Sequence, residues 1–491
     1  MPTNADLVAT ILPQTLACQD PKAPESKSRL QSHYVPFGPH ILSERGGYPT
    51  TDMAMNALAE LSDRVRANDS ELRSMVDRDQ MRLLTSRTVG GLLPELIQEP
   101  DHSKHWPMIR THLITSARAL GQNAVHYIPA WLFLDQACTS FSIGPVRFIE
   151  RKDWLDAITA RRRQASPWMI GVRTLWAGGK LRGGSRWAGL KGTWRAFRRA
   201  PTQPSAWTRA YTSARTFSEP KEIRDARKVA RLIHPDQWIA CAEVDGFEHE
   251  ESRRRGLLAA RVALDTVRLV LDGSRRALIS TAADSVVPLS VERLSQIPGA
   301  DLAHGWRLNR PGLGGPPGKA QAIVDQSKTL FDAAGACIAA TAAINPVHSC
   351  PKLADRWFNA AHWFGRACLA DVDFTAVVML VVALDVLCGG LEEKGILELI
   401  ARLTNTSMSA QAMSDGTTLK QLVGRGYKLR SEVAHGSILA LHEPLDVERA
   451  QLEQIAAIAI AEYVVQLHTY SHGGRLDDRD AFLASLPPAQ P

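Results

Sequence analysis

After Lys319 the chain is built almost entirely of helix-periodic stretches: AQAIVDQSKTLFDAAGACIAATAAI, DRWFNAAHWFGRACLA, FTAVVMLVVALDVLCGG, LEEKGILELIARLTN, TLKQLVGRGYKLRSEVAHG and LDVERAQLEQIAAIAIAEYVVQLHTY, parted by short Gly, Asn, Ser or Pro interruptions. Six consecutive helices with such short connections point to a helical bundle. The third stretch is apolar on all sides; its length and its helical neighbours place it as the central helix rather than as a buried strand. No period of about 20 to 50 residues recurs, which argues against a solenoid.

At 491 residues the chain has room for two or three cores. Residues 1–50, rich in Pro, Ser and Gly, read as a loose lead-in. Residues 51–300 read as an α-rich N-terminal region, a sensor or regulatory part, beginning with two amphipathic helices from Thr51. Aromatic and β-branched residues around Gly144-Pro145 predict a strand pair near residues 126–150. SRRRGLLAARVALDTVRLVLDG, Ser252 to Gly273, predicts an amphipathic helix with Arg261 and Arg268 beside its apolar stripe. The Gly- and Pro-rich run 301–319 suits a linker, 320–475 the bundle, and 476–491 a flexible tail. The expected fold class is thus mainly α, a C-terminal bundle preceded by an α-rich region with a small β element.

The formal charge of +7 is concentrated in one place. From Arg151 to Arg231 there are 20 Lys or Arg against 5 Asp or Glu, and six of the twelve Trp (Trp154, Trp168, Trp176, Trp187, Trp194, Trp207) lie in the same arm. Arg161, Arg162, Arg163, Arg182, Arg186, Arg195, Arg198 and Arg199 can neutralise phosphates while Trp187 and Trp194 stack on unpaired bases, which suits single-stranded nucleic acid. An anionic membrane surface, or a loop whose Trp pack and whose Arg are solvated, stays open beside that reading. The longest essentially apolar run, Phe374 to Leu384, is far short of the ~20 residues of a membrane span. With no secretory signature at the N-terminus, the expectation is a soluble cytoplasmic protein. Seven cysteines without a CxxC pair predict buried thiols, with neither a disulfide framework nor a zinc ribbon. GGPPGK lacks a phosphate-loop frame, since Ala320 follows Lys319.

Within GYKLRSEVAHGS, Arg430 and His435 stand five residues apart near a helix end. Five residues turn an ideal helix to about 140°, so the pair shares a groove only if His435 is terminal. Gly436 supports that, as a left-handed cap. An imidazole and a guanidinium suit metal-free cleavage of RNA: one moves protons, the other holds the charged phosphorane, and the 2′-hydroxyl attacks. The spacing alone is weak evidence. With 44 Arg and 15 His, intervals of five to seven give roughly four chance matches, and three occur: Arg430 with His435, Arg356 with His362, Arg227 with His234.

The longer pattern is more specific. Tyr427, Arg430, Ser431, His435 and Gly436, read as Y-x2-R-S-x3-H-G, together with VVALDVLCGG carrying Asp385 on an earlier helix, resemble the ApeA-like branch of the HEPN superfamily over about residues 352–470. The resemblance implies a helical bundle that pairs into a homodimer with two Arg/His sets facing one RNA cleft, often in toxin or antiphage defence. It gives His435 the acid/base role and Arg430 the phosphate clamp as catalytic residues, with Tyr427, Ser431 and Asp385 as supporting groups, no cofactor and no metal. A non-catalytic HEPN bundle used for dimerisation or RNA binding remains the alternative, and an N-terminal enzyme without a legible motif is a third. Asp385, at the C-terminal end of an apolar helix, needs a compensating partner, for which Arg430 is the candidate. Arg356 and His362 should lie on different faces of an aromatic core helix, and His442 reads as a solvated loop residue.

Overall fold

The computed structural model describes residues 2–19, 40–43, 46–135, 137–165, 228, 231–287, 290–295, 303–308, 311–436 and 444–489. The protein is mainly α with small antiparallel sheets. Helices α1 (Asn4–Gln19), α2 (Asp52–Asn68), α3 (Ser70–Met75), α4 (Arg78–Gln98) and α5 (His105–Leu120), with the hairpin β1 (His40–Ser43) and β2 (Gly46–Pro49), gather round Ile11, Leu61, Leu93, Ile109 and Leu113. Thr51, Asp69 and Asp77 cap α2, α3 and α4 by accepting from backbone N–H groups in the first turn. The expected loose lead-in is therefore corrected at residues 4–19. Leu7, Val8, Ile11 and Leu12 recur at helical spacing and are buried, although Pro13 inside the helix hides the pattern.

The main sheet contains β3 (Gln122–Trp131), β4 (Phe141–Ile143), β5 (Val146–Glu150), β6 (Trp238–Phe247) and β7 (Ser280–Thr281) in the order β4-β5-β6-β3-β7. The predicted pair exists as β4 and β5 around Gly144, but β3 joins neither directly. It pairs with β6, with Tyr127 opposite Cys241, and β6 enters the chain only after the basic segment. The β4–β5 turn sits on helix α9 (Lys328–Ala342) so closely that a Cβ on Gly335 would lie 2.4 Å from the Gly144 nitrogen. Gly144 also has φ +57, so two glycines are required at this contact.

Helix α6 (Arg151–Ala165) follows β5, and α7 (His249–Leu269) follows β6. The bundle comprises α8 (Lys319–Gln326), α9, α10 (Pro351–Cys368), α11 (Asp373–Cys388), α12 (Glu392–Thr404), α13 (Leu419–Ala434), α14 (Asp446–Ser471) and α15 (Arg479–Ser485). The first expected bundle helix is split at Ser327. As expected, α11 is central, with Ala376, Val377, Leu380, Val381, Leu384 and Leu387 buried. Indole Nε1 of Trp357 donates to the Ile460 carbonyl at 3.0 Å, tying α10 to α14.

Helix α7 packs on the sheet with one side and on α9, α10 and α14 with the other, so Phe148, Trp238, Leu264, Phe331, Trp357, Leu380 and Tyr463 belong to one continuous core. The expected linker at 301–319 is corrected accordingly. Within it β9 (Ala303–Leu308) pairs with β8 (Ser290–Ser295), and Leu313 donates to Leu132 and accepts from Leu134, which pins the segment to the sheet. The expected tail is corrected too. Asp478 caps α15, whose Phe482 is fully buried against Tyr463 and Tyr470 at ring separations of 4.9 and 5.2 Å.

No single helix among the described residues is long and apolar enough to cross a membrane. All seven cysteines are free and buried. Burial pushes the Cys138 and Cys368 thiols up to about 12 and Cys388 up to about 11. Iodoacetamide at neutral pH should therefore leave the native thiols unmodified and alkylate them on denaturation; rapid native alkylation, read by mass spectrometry, would contradict this packing.

Candidate active site

Helix α13 begins with a capping box in which Thr418 accepts from the Gln421 N–H and the Gln421 side chain accepts from the Thr418 N–H. Gly426 brings it close to α14 and α11, since a Cβ there would lie 2.9 Å from Leu452 and 3.5 Å from Val381. Four residues later comes Arg430. The helix ends where the sequence placed its end: His435 is the C-cap, its N–H donating to the Ser431 carbonyl at 3.0 Å, and Gly436 follows at φ +68. His435 is exposed, whereas Tyr427, Arg430 and Ser431 are half-buried.

The Arg430 guanidinium lies 5.7 Å from the centre of the Tyr427 ring, three residues back on the same face. Other cations nearby are matched with carboxylates: Arg425 with Glu448 at 3.8 Å, Lys428 with Glu432 at 3.6 Å. Arg430 has no ion pair or hydrogen bond among the described residues, and none joins it to His435. Burial, then the charges of Glu392 and Asp385, hold the Tyr427 phenol above its ordinary value against the pull of Arg430, so it stays a neutral donor.

Asp385 is close to this group, but the expected pairing with Arg430 is corrected. Its carboxylate Oδ1 accepts from the Glu392 N–H at 3.1 Å and from the Cys388 thiol at 3.7 Å, while its carbonyl accepts from Gly389 and Gly390. The reason is electrostatic. Asp385 lies at the unfavourable end of α11, yet the tight turn through Gly389 (φ +87), Gly390 (φ +78) and Glu392 (φ +57) folds it onto the N-terminus of α12, where free N–H groups attract a carboxylate. Asp385 organises this turn and so positions the wall beside Tyr427.

In the arm, α6 includes Arg161, Arg162 and Arg163 in its backbone, but their side chains lie outside the described residues. So do Arg182, Arg186, Trp187, Trp194, Arg195, Arg198 and Arg199 in their entirety, as well as His442 and Arg227. Trp154 is a packing residue, buried 5.6 Å from the Tyr127 ring.

Arg356 and His362 do lie on different faces. Arg356 fills the space above Gly389, where a Cβ would meet it at 2.2 Å. His362 belongs to a polar cluster that sequence reasoning missed. Arg261 holds Asp284 with two hydrogen bonds of 2.7 and 2.8 Å, Thr281 donates to Asp284 at 2.6 Å, and Arg366 reaches it at 3.3 Å. Beside them Asp265 is paired with Arg268, both buried, and Asp265 Oδ2 is 3.9 Å from His362 Nδ1. Burial raises the Asp265 carboxyl to about 7 despite Arg268. Burial, followed by Arg261 and Arg366, lowers the His362 imidazole. A second chain of charges, buried at Arg276 and Glu453 and half-buried beyond, runs from Arg276 to Glu453 at 3.4 Å and from Glu453 to Arg449 to Asp373 at 2.9 and 3.0 Å, and links the end of this region to α14 and α11. The sequence singled out Arg261 and Arg268 beside the α7 stripe and His362 in an Arg/His match, but nothing in it grouped them.

Among the described residues, no group of three or more His, Cys, Asp or Glu is placed to hold a metal ion. No family model, curated protein or solved structure matches the chain.

Proposed function

We propose that the chain is a metal-independent endoribonuclease of the HEPN type, working as a homodimer, with His435 moving protons at the ribose 2′-hydroxyl or the leaving oxygen and Arg430 holding the phosphorane. The observation that carries this reading is Arg430, which has no carboxylate partner among the described residues. A half-buried guanidinium seated on Tyr427, one turn before an exposed histidine, keeps its charge for an anion supplied from outside. Tyr427 and Ser431 shape the groove around it, and Asp385 braces the turn behind. The Trp/Arg arm is assigned to holding the RNA, and toxin or antiphage defence is the setting that the resemblance to HEPN proteins suggests.

A second reading, a non-catalytic HEPN module for dimerisation or RNA binding, is favoured by one fact: no contact joins Arg430 to His435 within the chain. Under the nuclease reading the substrate would lie between the two. In EDTA, mixed RNAs should be cut to products ending in a 2′,3′-cyclic phosphate, and the same oligonucleotide with a 2′-deoxy residue at the cleaved position should resist. Binding without any cut, even with candidate triggers such as phage infection extracts, would favour the module; cutting of the deoxy position would overturn the mechanism.

A further inference from the structure

We propose that the free edge of β3 binds the same edge of a second copy of this chain, joining two five-stranded sheets into one continuous antiparallel sheet. On one side β3 is paired with β6 from Gln122 to Ala130. On the other, β7 reaches only Ala130 and Trp131, after which the chain leaves the sheet through the Ala282–Asp284 turn. Among the described residues no strand or backbone hydrogen bond meets that second side from Gln122 to Pro129.

Three observations carry the inference. The first is backbone direction. Pro129, opposite Ile239 of β6, has no N–H to donate, and a proline is tolerated within a sheet where its nitrogen faces the unpaired side. Backbone groups alternate along a strand, so the N–H and C=O of Tyr127 and Val125 point to that side as well. Such a row of unpaired donors and acceptors is a template for another strand. The second is composition. QNAVHYIPAW contains no Asp, Glu, Lys or Arg, the charges by which an edge is commonly kept from pairing. Val125 and Tyr127 are 45% and 46% exposed, although their cross-strand neighbours Ile239 and Cys241 are buried beneath α6 and Trp154 lies against the Tyr127 ring. The apolar face of the sheet thus continues past the cover that α6 provides.

The third observation is register, and it selects a second copy over a strand from elsewhere. A two-fold axis at His126 sets Val125 opposite Tyr127 of the second copy, and Tyr127 opposite its Val125. Each pair then exchanges both backbone bonds and lays an aromatic ring against a β-branched side chain, a favourable cross-strand combination. Both halves of the match are carried by this one strand. His126 meets its own image, but its ring is bound to Ser252 at 2.8 Å on the α7 side, and burial lowers its pKa, so no like charges are opposed there. The edge is separate from α13, so this contact neither needs nor excludes a dimer formed by the bundle.

The test follows the full-length protein by sedimentation velocity over a concentration series, as wild type, Val125→Lys and Val125→Thr. Expected are a concentration-dependent self-association of the wild type, weakened roughly tenfold in Val125→Lys because the altered residue enters the contact twice, and retained in Val125→Thr, which stays β-branched and uncharged. A second measurement uses the burial of all seven native thiols, which leaves one reactive thiol per chain in Val125→Cys. In the paired edges these two thiols lie diagonally, about 7–8 Å apart, so a short bismaleimide should give a covalent dimer, whereas Leu476→Cys, exposed after α14, should not. A monomeric wild type, no cross-link in Val125→Cys, or an association that Val125→Lys leaves unchanged overturns the proposal. The last of these would place the association elsewhere in the molecule and leave the nuclease reading intact.

Discussion

If the proposed nuclease reading holds, replacing His435 by Ala should slow RNA cleavage by roughly 10²- to 10⁴-fold, the range that a positioned proton-transfer group contributes. The side chain is exposed and caps α13 through its backbone alone, so the fold and the thermal midpoint stay where they were. Arg430→Ala should slow cleavage to a similar extent, by roughly 10²- to 10³-fold, through loss of charge at the phosphorane. Arg430→Lys should not restore the rate, because a point charge lacks the planar fork and stacks poorly on Tyr427. Single-turnover cleavage with excess protein reads the chemical step, and filter binding of the same RNA reads affinity. A wild-type rate in His435→Ala would move any activity to another part of the molecule.

The largest effect on stability should come from Arg268→Ala. Arg268 is almost completely buried, pairs with Asp265, and donates to the Arg276 and Ile279 carbonyls, so its removal strips three acceptors and leaves a carboxyl without its cation. Breaking a buried pair on one side costs about 3–5 kcal/mol. Because α7 shares one core with the sheet and the bundle, the loss should appear in a single cooperative urea transition. A loss below about 1 kcal/mol, or separate transitions for the sheet and the bundle, would contradict the shared core. The pair also sets a pH signature. Asp265 is raised from an ordinary 3.8 to about 7, so the folded chain keeps a proton there that the unfolded chain has released. That contribution is complete below about pH 4 and is lost as the pH rises through about 7. Asp265→Asn should remove this fall from the stability profile, whatever it does to the absolute level.

The parts of the fold legible in the sequence were those fixed by neighbours along the chain. The apolar α11, the stripe of α7 and the Gly436 terminus all depend on residues within a turn or two. What escaped depends on distant partners. Gly and Pro between 301 and 319 report a backbone free to bend, not whether Leu313 will bridge Leu132 and Leu134. The site divides in the same way. Arg430, Tyr427 and His435 are carried by one helix and could be found from it. Asp385 finds its donor across a turn of three left-handed residues, and His362 meets Asp265 only after α7 and α10 pack, so neither arrangement leaves a spacing to read.

The in-register pairing of β5 with β6 places Glu150 directly opposite Trp238. The whole basic segment is therefore, in chain terms, an oversized hairpin connection whose two ends are fixed side by side by the sheet. Loop-closure entropy grows slowly with length, about 0.6 kcal/mol for each doubling, so beyond the packed start of α6 around Trp154 the segment can lengthen, shorten or change its composition with little consequence for the pairing of β5 with β6. The scaffold is insulated from whatever the segment binds, and selection can retune that binding without retuning the fold.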